Sequence, residues 1–342
     1  MNPIEHKSCP VCEVSVPCAF VERWREFTIW SCPQCALQFS DPLYYSAEMY
    51  TEGYGDPGSQ LAKDTGFHTH VTWGAMLAKQ KNVMPFLTPL ERAALKWIRA
   101  HIPKGSPTFD LGCGSGRFMI SLRQLGYDAC GMDGAAPPVE LLKSAGFRVA
   151  LGTLNSIPES WPSPSLVSCF EVLEHVPEPV EFLKAIHNRF PKTPLVLSVP
   201  LPVHERCHEI GGFFHAADYP PNHLTRWTRE SLKLAFEKAG YRASIQKVHV
   251  TGDEIPNGLH LGLGIGRVIY SLLGQKSPAR NGQNGSGASS QANLSRSENG
   301  LSQDSMSRQA VYRRLQRYAL LPYVLWLRLK GKSGYSFLVI GE

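Results

Sequence analysis

Hydrophobic and polar positions follow two alternating patterns between residues 107 and 253. Short apolar runs such as TFDLG, DACGMD, SLVSCF and PLVLSVP are typical of buried strands. Between them lie longer segments with apolar residues three and four positions apart, such as GRFMISLRQLG, PVEFLKAIHNRF and TRESLKLAFEKAG, which is the spacing of amphipathic helices. This alternation predicts an α/β fold, a doubly wound sheet of mainly parallel strands with helices on both faces.

The segments that flank this pattern have a different character. A helix is predicted just before the first strand, because Thr88 can cap it, Pro89 suits its first turn and Glu91 completes a capping box. Residues 41–87 are rich in Tyr and Gly and predict a packed, irregular linker or lid. The chain ends in an apolar run, YSFLVIGE, so the sheet domain is predicted to comprise residues 88–253 and 333–342.

Residues 254–332 interrupt the sheet domain. Two apolar segments with helical spacing flank residues 275–309. Residues 275–309 themselves are almost all polar, Gly and Ser, a composition that predicts a disordered loop. The second segment, residues 311–332, is basic and aromatic, with no acidic residue. Such a helix either pairs with the first segment to cover the pocket or pack on the sheet, the reading we favour, or makes peripheral contact with an anionic membrane.

Composition sets broad limits. A chain of 342 residues with 43% hydrophobic residues has room for one large or two modest domains and a sizeable core. A net charge of +6 is mildly basic and does not by itself indicate that the protein binds nucleic acid. The start, MNPIEHKSCP, lacks the apolar region of a secretory signal, and no apolar run reaches the length of a membrane span, about 18 residues. We therefore expect a cytoplasmic protein.

The amino-terminal cysteines have the spacing of a metal site. Four of them form the pattern C-x2-C-x19-C-x2-C, namely Cys9, Cys12, Cys32 and Cys35. Four thiolates in two such pairs suit tetrahedral Zn²⁺, and a site with all four positions taken by protein is structural rather than catalytic. The pattern predicts a zinc ribbon over residues 1–40, with Cys18 as a spare thiol.

A glycine-rich turn links the first predicted strand to the following helix. Gly112, Gly114 and Gly116 in FDLGCGSGRF do not fit the dinucleotide fingerprint, whose third glycine would stand at Arg117, and no phosphate-loop G-K-[ST] follows. Glycines let the backbone approach a ligand closely. Asp110 places a carboxylate beside this turn, which favours a cationic ligand over a phosphate.

DLGCGSGRF resembles motif I of class I S-adenosylmethionine-dependent methyltransferases, and SCFEVLEHVPEP, residues 168–179, resembles their segment after strand four. The resemblance implies a Rossmann-like sheet of seven strands and S-adenosylmethionine as cofactor. It also implies a ribose-binding role for Asp133 in CGMDGA, although that residue could instead cap the next helix. The cofactor contacts that it implies come from Asp110, Gly112, Cys113, Gly114, Gly116, Asp133, Thr153, Leu154, Phe170 and Glu171.

The ribbon and the linker passage CALQFSDPLYYSAEMY resemble bacterial methyltransferases that act on sugars, lipid-linked acceptors or other small metabolites. This resemblance implies a small-molecule acceptor, methylated on oxygen or carbon, with a histidine as base. His175 in FEVLEHV and His223 in DYPPNHLTRW are the candidates, and either could instead be a hydrogen-bonded loop histidine. The linker tyrosines either line the acceptor pocket or, as we favour, pack the ribbon on the main domain; they are Tyr44, Tyr45, Tyr50 and Tyr54.

Two other function classes remain open at this point. An RNA methyltransferase could use the ribbon to bind RNA, but the ribbon is not strongly basic, and the [ND]-P-P-[YF] motif of nucleobase amine methylation is missing after strand four. Nucleic acid is therefore an unlikely partner. A non-catalytic protein could also keep the cofactor fold as a scaffold, since no single residue here is a diagnostic nucleophile or base.

Overall fold

The computed structural model describes residues 3–44, 46–65, 74, 79, 82–84, 87–201, 216–249 and 334–342. Apart from His249 and Gly334, they belong to one compact unit. The predicted insert 254–332, with its disordered loop 275–309 and the candidate membrane segment 311–332, lies outside the described residues.

The larger sheet has seven strands in the order β11-β12-β9-β8-β5-β6-β7. Strands β5 to β9 run parallel, and β12 pairs antiparallel with β9. This confirms the predicted α/β, Rossmann-like fold. The strands are β5 (Pro107–Leu111), β6 (Asp128–Asp133), β7 (Arg148–Leu151), β8 (Leu166–Phe170), β9 (Leu195–Pro200), β11 (Ala243–His249) and β12 (Gly334–Gly341).

The helices of this domain begin and end close to the predicted segments. They are α3 (Pro89–His101), α4 (Arg117–Gln124), α5 (Ala136–Ser144), α6 (Pro179–Arg189) and α7 (Arg229–Lys238). The capping box predicted for α3 is present, because the Thr88 hydroxyl accepts from the Glu91 N–H and the Glu91 carboxylate accepts from the Thr88 N–H. No helix in the described part of the chain is long and apolar enough to cross a bilayer.

A second sheet of five strands contains the amino-terminal cysteines. Four strands pair antiparallel in chain order: β1 (Ile4–Ser8), β2 (Ser15–Trp24), β3 (Phe27–Ser31) and β4 (Gln38–Asp41). The fifth, β10 (Thr225–Arg226), comes from the other domain and pairs antiparallel with β4. The sequence did not predict β10, because a two-residue strand has no readable period.

The linker differs from the irregular segment that its Tyr and Gly content predicted. It contains two short helices, α1 (Ala47–Gly55) and α2 (Gln60–Thr65). The Ser46 hydroxyl caps α1 by accepting from the Met49 N–H. Tyr50 and Leu61 are buried in a small apolar cluster with Ala135. This tertiary packing stabilises helices that propensity alone would not favour.

Candidate active site

The glycine turn adopts a backbone that side chains would disrupt. Gly112, Gly114 and Gly116 all have positive φ, at 66°, 49° and 75°. A Cβ on Gly112 would lie 2.4 Å from the Val172 side chain, and one on Gly116 would lie 2.4 Å from Leu142. Glycine is therefore needed at both positions for conformation and for space. The turn ends at α4, at the carboxyl edge of the sheet, where ligands bind in open α/β folds.

Asp133 ends β6 beside this turn. Its Oδ2 accepts from the Gly114 N–H at 2.8 Å, and its Oδ1 accepts from the Ala135 N–H at 2.9 Å. The ribose-binding interpretation fits this position, because each carboxylate oxygen can accept a further hydrogen bond. The carboxylate does not cap the next helix, whose N-cap residue is Ala135 and which has no side-chain capping bond. Burial raises the pKa of this carboxyl group, whereas the backbone N–H donors lower it.

Asp110 lies beneath the turn and is nearly inaccessible. Its Oδ1 accepts from the Ser168 hydroxyl at 2.6 Å. Burial raises the pKa of this carboxyl group to about 7, and nearby Glu91 and Asp133 act in the same direction. A cation bound above the turn would therefore favour the ionised form of Asp110.

The other residues predicted to contact the cofactor surround the same edge of the sheet. Cys113 is buried, and burial raises the pKa of its thiol, which keeps it neutral. Thr153 and Leu154 follow β7 at the start of a short 3-10 helix, where Gly152 is hydrogen-bonded to the Asp133 carbonyl. Phe170 is half-buried against Phe118, and the Glu171 carboxylate accepts from the Ser198 hydroxyl at 2.8 Å; both end or follow β8.

His175 is held by its Nδ1 atom. This nitrogen lies 2.5 Å from the Asn222 carbonyl and 2.9 Å from the Tyr50 hydroxyl. Because a carbonyl oxygen only accepts, Nδ1 carries the proton in its contact with Asn222. Burial lowers the pKa of His175 to about 4, so the ring is neutral at physiological pH.

His223 lies against His175, with 4.9 Å between the ring centroids. Its Nδ1 is 3.5 Å from Asp218 Oδ1, and its Nε2 is 3.8 Å from Oε1 of the fully buried Glu174. The same Glu174 oxygen lies 3.9 Å from His175 Nε2. The structure therefore brings the two predicted histidines together around one carboxylate.

Three partners of these histidines were not assigned a role from sequence. Asn222 contacts His175 through its main-chain carbonyl, while its side chain accepts from the Tyr50 hydroxyl at 3.4 Å. Glu174 lies in FEVLEHV beside His175, and Asp218 lies in DYPPNHLTRW before His223; their acidic type was the available signal. Tyr50 was grouped with the linker tyrosines; it is buried and contacts His175, whereas Tyr44 is 51% exposed.

The four predicted metal ligands converge in the amino-terminal sheet. The sulfur atoms of Cys9 and Cys35 are 3.6 Å apart, those of Cys12 and Cys32 are 3.7 Å apart, and all four lie within 4.8 Å of one another. Cys18 lies outside this cluster and is buried, which raises the pKa of its thiol to about 11.

The family comparison agrees with the fold and with the cofactor turn. Residues 86–244 match the model of a family described as a methyltransferase domain. The five parallel strands β5 to β9, the glycine turn and Asp133 all lie in this range. Over this range the chain is similar to that family and has a mixed α/β, Rossmann-like methyltransferase fold.

Individual relatives are more distant. The chain is 28% identical over 214 residues to a ubiquinone biosynthesis O-methyltransferase of Methylococcus capsulatus, which is 55% of this chain and 87% of that protein. A protein of the same name from Acinetobacter baylyi is 32% identical over 101 residues, and there the chain spans 42% of the relative's length. A solved S-adenosylmethionine-dependent methyltransferase from Archaeoglobus fulgidus aligns with 73% of this chain and 93% of its own, at 16% identity and a TM-score of 0.41.

Proposed function

We propose that the protein transfers a methyl group from S-adenosylmethionine to an oxygen or carbon atom of a small-molecule acceptor. The observation that carries this proposal is the position of two groups at one edge of the sheet: the glycine turn with Asp133, and the cluster of His175, His223 and Glu174. The Methylococcus relative, which is named an O-methyltransferase, supports oxygen as the methyl acceptor.

The residues of the turn fit this cofactor. Bound S-adenosylmethionine supplies a methyl group that its sulfonium already activates. Gly112, Gly114 and Gly116 leave the backbone open to close approach, and the Asp133 carboxylate can accept from ribose hydroxyls. Asp110 provides negative charge beneath the turn for a cationic ligand. Thr153 and Leu154 would contact the adenine, and Cys113, Phe170 and Glu171 would contribute to the walls of the site.

His223 is the better candidate for the base. With a pKa of about 4, His175 is a weak proton acceptor near neutral pH. Asp218 lies 3.5 Å from Nδ1 of His223, an arrangement in which a carboxylate stabilises the imidazolium that forms when Nε2 takes up a hydroxyl proton.

Calorimetric titration tests cofactor binding. Asp133→Ala should weaken S-adenosylhomocysteine binding by at least about tenfold, because a hydrogen-bonding carboxylate is lost. Asp128→Ala is the matched control, since Asp128 begins the same strand but is exposed and pairs with Arg148 at the surface. Absence of binding heat with the unaltered protein would refute the proposal.

The acceptor can be found with labelled cofactor. The protein is incubated with methyl-labelled S-adenosylmethionine and a small-molecule extract, and the product that gains label is identified. His223→Gln should lower its formation by about two orders of magnitude, the usual contribution of general base catalysis. Undiminished labelling in this variant would remove His223 as the base.

We also propose that the four cysteines hold a structural zinc ion. A tetrahedral ion with Zn–S bonds of about 2.3 Å needs sulfur atoms roughly 3.8 Å apart. The sulfur pairs at 3.6 Å and 3.7 Å are close to this value. Zinc would hold together a small sheet that has little apolar core of its own.

A small acceptor is preferred to RNA because basic side chains around the ribbon are engaged by acids. Lys7 pairs with Glu5 and Asp41, and Arg25 pairs with Asp64. Such pairing reduces the positive potential that phosphates would meet. RNA binding with a steep dependence on salt concentration would contradict this part of the proposal.

A further inference from the structure

The five-stranded sheet that contains the four cysteines, here called the cysteine sheet, includes a strand that directly follows the loop of His223. Strand β10 pairs with β4 through Thr225 opposite Phe39 and Arg226 opposite Gln38. One residue earlier, the Leu224 carbonyl accepts from the Ser40 N–H at 2.8 Å. His223 is thus followed at once by backbone that is bonded to the amino-terminal sheet.

The same stretch of backbone is bonded to the opposite side of the site. The Leu224 N–H donates to the Glu174 carbonyl at 2.8 Å, and the Thr225 hydroxyl donates to it at 3.4 Å. Leu224 therefore joins β4, through its carbonyl, to the segment of Glu174 and His175, through its N–H. A shift of β4 would change the position of His223 relative to Glu174.

The cysteine cluster determines where β4 lies. The Cys32 N–H donates to the carbonyl of Leu37, the fully buried residue that immediately precedes β4. The Cys35 carbonyl accepts from the Thr228 hydroxyl at 3.4 Å, and the Cys12 carbonyl accepts from the Lys238 ammonium at 2.7 Å. Both pairs of cysteines are thereby attached to α7, one at its start and one at its end.

Side chains reinforce this connection on strand β2. The Glu22 carboxylate accepts from Arg226 at 2.5 Å and from the Tyr219 hydroxyl at 3.2 Å. The Tyr219 ring also packs against Trp24, with 4.6 Å between centroids. Tyr219 and Arg226 stand on either side of His223 in sequence, so Glu22 holds both ends of its loop.

We propose that the cysteine sheet is a positioning element of the acceptor site. A thiophilic metal ion bound by the four cysteines keeps β4 in register with β10 and thereby holds His223 beside Glu174. The inference rests on the proposed zinc site and on the proposed role of His223. It assigns to the ribbon a role in methyl transfer, beyond the folding of residues 1–40.

The first experiment removes the metal from the full chain and observes the ring of His223. Proton–nitrogen correlation spectra of the ¹⁵N-histidine-labelled protein report the tautomer and environment of each ring, and the His223→Gln spectrum identifies the signal. Removal of Zn²⁺ with a chelator should shift or broaden the His223 signal, and added Zn²⁺ should restore it. An unchanged His223 signal in the metal-free protein would overturn the proposal.

The second experiment leaves the metal in position and weakens the connection. Glu22→Gln should shift the His223 signal and lower kcat/KM for the acceptor by about tenfold, because small displacements of a reacting group are costly. Glu26→Gln is the matched control, since Glu26 lies on the same hairpin and is exposed. Equal spectra and equal kinetics for the two variants would overturn the proposal, even if metal removal unfolds the chain.

The two proposals fail in different ways. S-adenosylhomocysteine affinity should change by less than about twofold in Glu22→Gln, because the glycine turn and Asp133 bond to each other and not to the ribbon. Loss of cofactor binding in the unaltered protein would refute the proposed function, while the histidine signals would still report on the ribbon connection.

Discussion

The Tyr50 hydroxyl lies 2.9 Å from Nδ1 of His175, and both groups contact the carbonyl of Asn222. Since that carbonyl can only accept, it receives the His175 N–H and the Tyr50 O–H together. Through this contact, helix α1 of the linker shares with His175 the carbonyl that receives its Nδ1 proton. The linker is therefore part of the site as well as a connection between domains.

Replacing Tyr50 by Phe should remove one buried hydrogen bond while keeping the aromatic ring. We expect the free energy of unfolding to fall by about 1 kcal/mol and turnover of the acceptor to fall about fivefold, with cofactor affinity unchanged. Tyr44→Phe is the control, because Tyr44 is 51% exposed on the same linker. Denaturant titration and steady-state kinetics measure both effects, and equal behaviour of the two variants would contradict the assignment.

The charge of Asp110 should make cofactor affinity depend on pH. With a pKa of about 7, this carboxyl group is mostly protonated at pH 6 and mostly ionised at pH 8. S-adenosylmethionine carries a positive sulfonium, so its affinity should rise by up to about tenfold over that range. S-adenosylhomocysteine, which lacks this charge, should show a much smaller change. Calorimetry with both ligands at pH 6 and pH 8 measures these changes. In Asp110→Asn the two ligands should no longer differ in the pH dependence of their affinity.

The same group should affect the stability of the cofactor-free protein. The pKa of Asp110 is about 7 in the folded state, against an ordinary value of 3.8. A raised folded pKa means that the group's contribution is fully present below about pH 4 and is lost as the pH rises to about 7. Asp110→Asn should remove this loss and be more stable than the parent at pH 8, by at most about 4 kcal/mol. Urea titrations of the parent protein and the variant at pH 4 and pH 8 provide the comparison. If the variant differs from the parent in free energy of unfolding by the same amount at both pH values, the burial of the Asp110 charge is contradicted.

Alanine substitutions at two glycines distinguish the effect of backbone strain from the effect of steric crowding. Gly112 and Gly105 both have positive φ, but a Cβ on Gly105 meets no atom within 4 Å, whereas one on Gly112 meets Val172 at 2.4 Å. Gly105→Ala should cost about 1 kcal/mol of stability and leave cofactor affinity intact. Gly112→Ala should additionally displace Val172 and weaken S-adenosylhomocysteine binding by more than about tenfold. Equal affinities in calorimetric titration would show that the turn does not contact the cofactor.

Metal content should depend on the cluster cysteines alone. The purified chain should contain one zinc ion, and the Cys35→Ser variant should lack it. The free energy of unfolding of that variant should be lower by several kcal/mol, because binding of a structural zinc ion contributes to folding. Cys18→Ala should retain the metal, because Cys18 lies outside the cluster. Atomic absorption and thermal unfolding measure these outcomes. Full zinc content in Cys35→Ser would rule out binding by four thiolates.

The elements that sequence predicted well are those whose local signals agree with their tertiary environment. The capping box at Thr88 and Glu91 begins α3 as expected, and the glycine turn follows β5 as expected. Strand and helix periods were sufficient to predict the α/β class and the parallel strands, because the central strands are apolar and buried along almost their whole length.

What sequence did not predict depends on contacts between distant segments. Helices α1 and α2 are stabilised by packing around Tyr50 and Leu61, which nearby residues do not encode. Strand β10 exists only because β4 presents a free edge to it. The main-chain carbonyl of Asn222 contacts both Tyr50 and His175, which are distant from it in sequence, so no local motif reveals this role.

The position of β12 has a consequence for how the protein is made. This strand lies between β9 and β11, although it follows both of them in the chain. While the nascent polypeptide leaves the ribosome, the edge of β9 stays uncovered until residues 334–342 emerge. An open strand edge is a site for mispairing, so completion of the sheet should be slow and should benefit from chaperones.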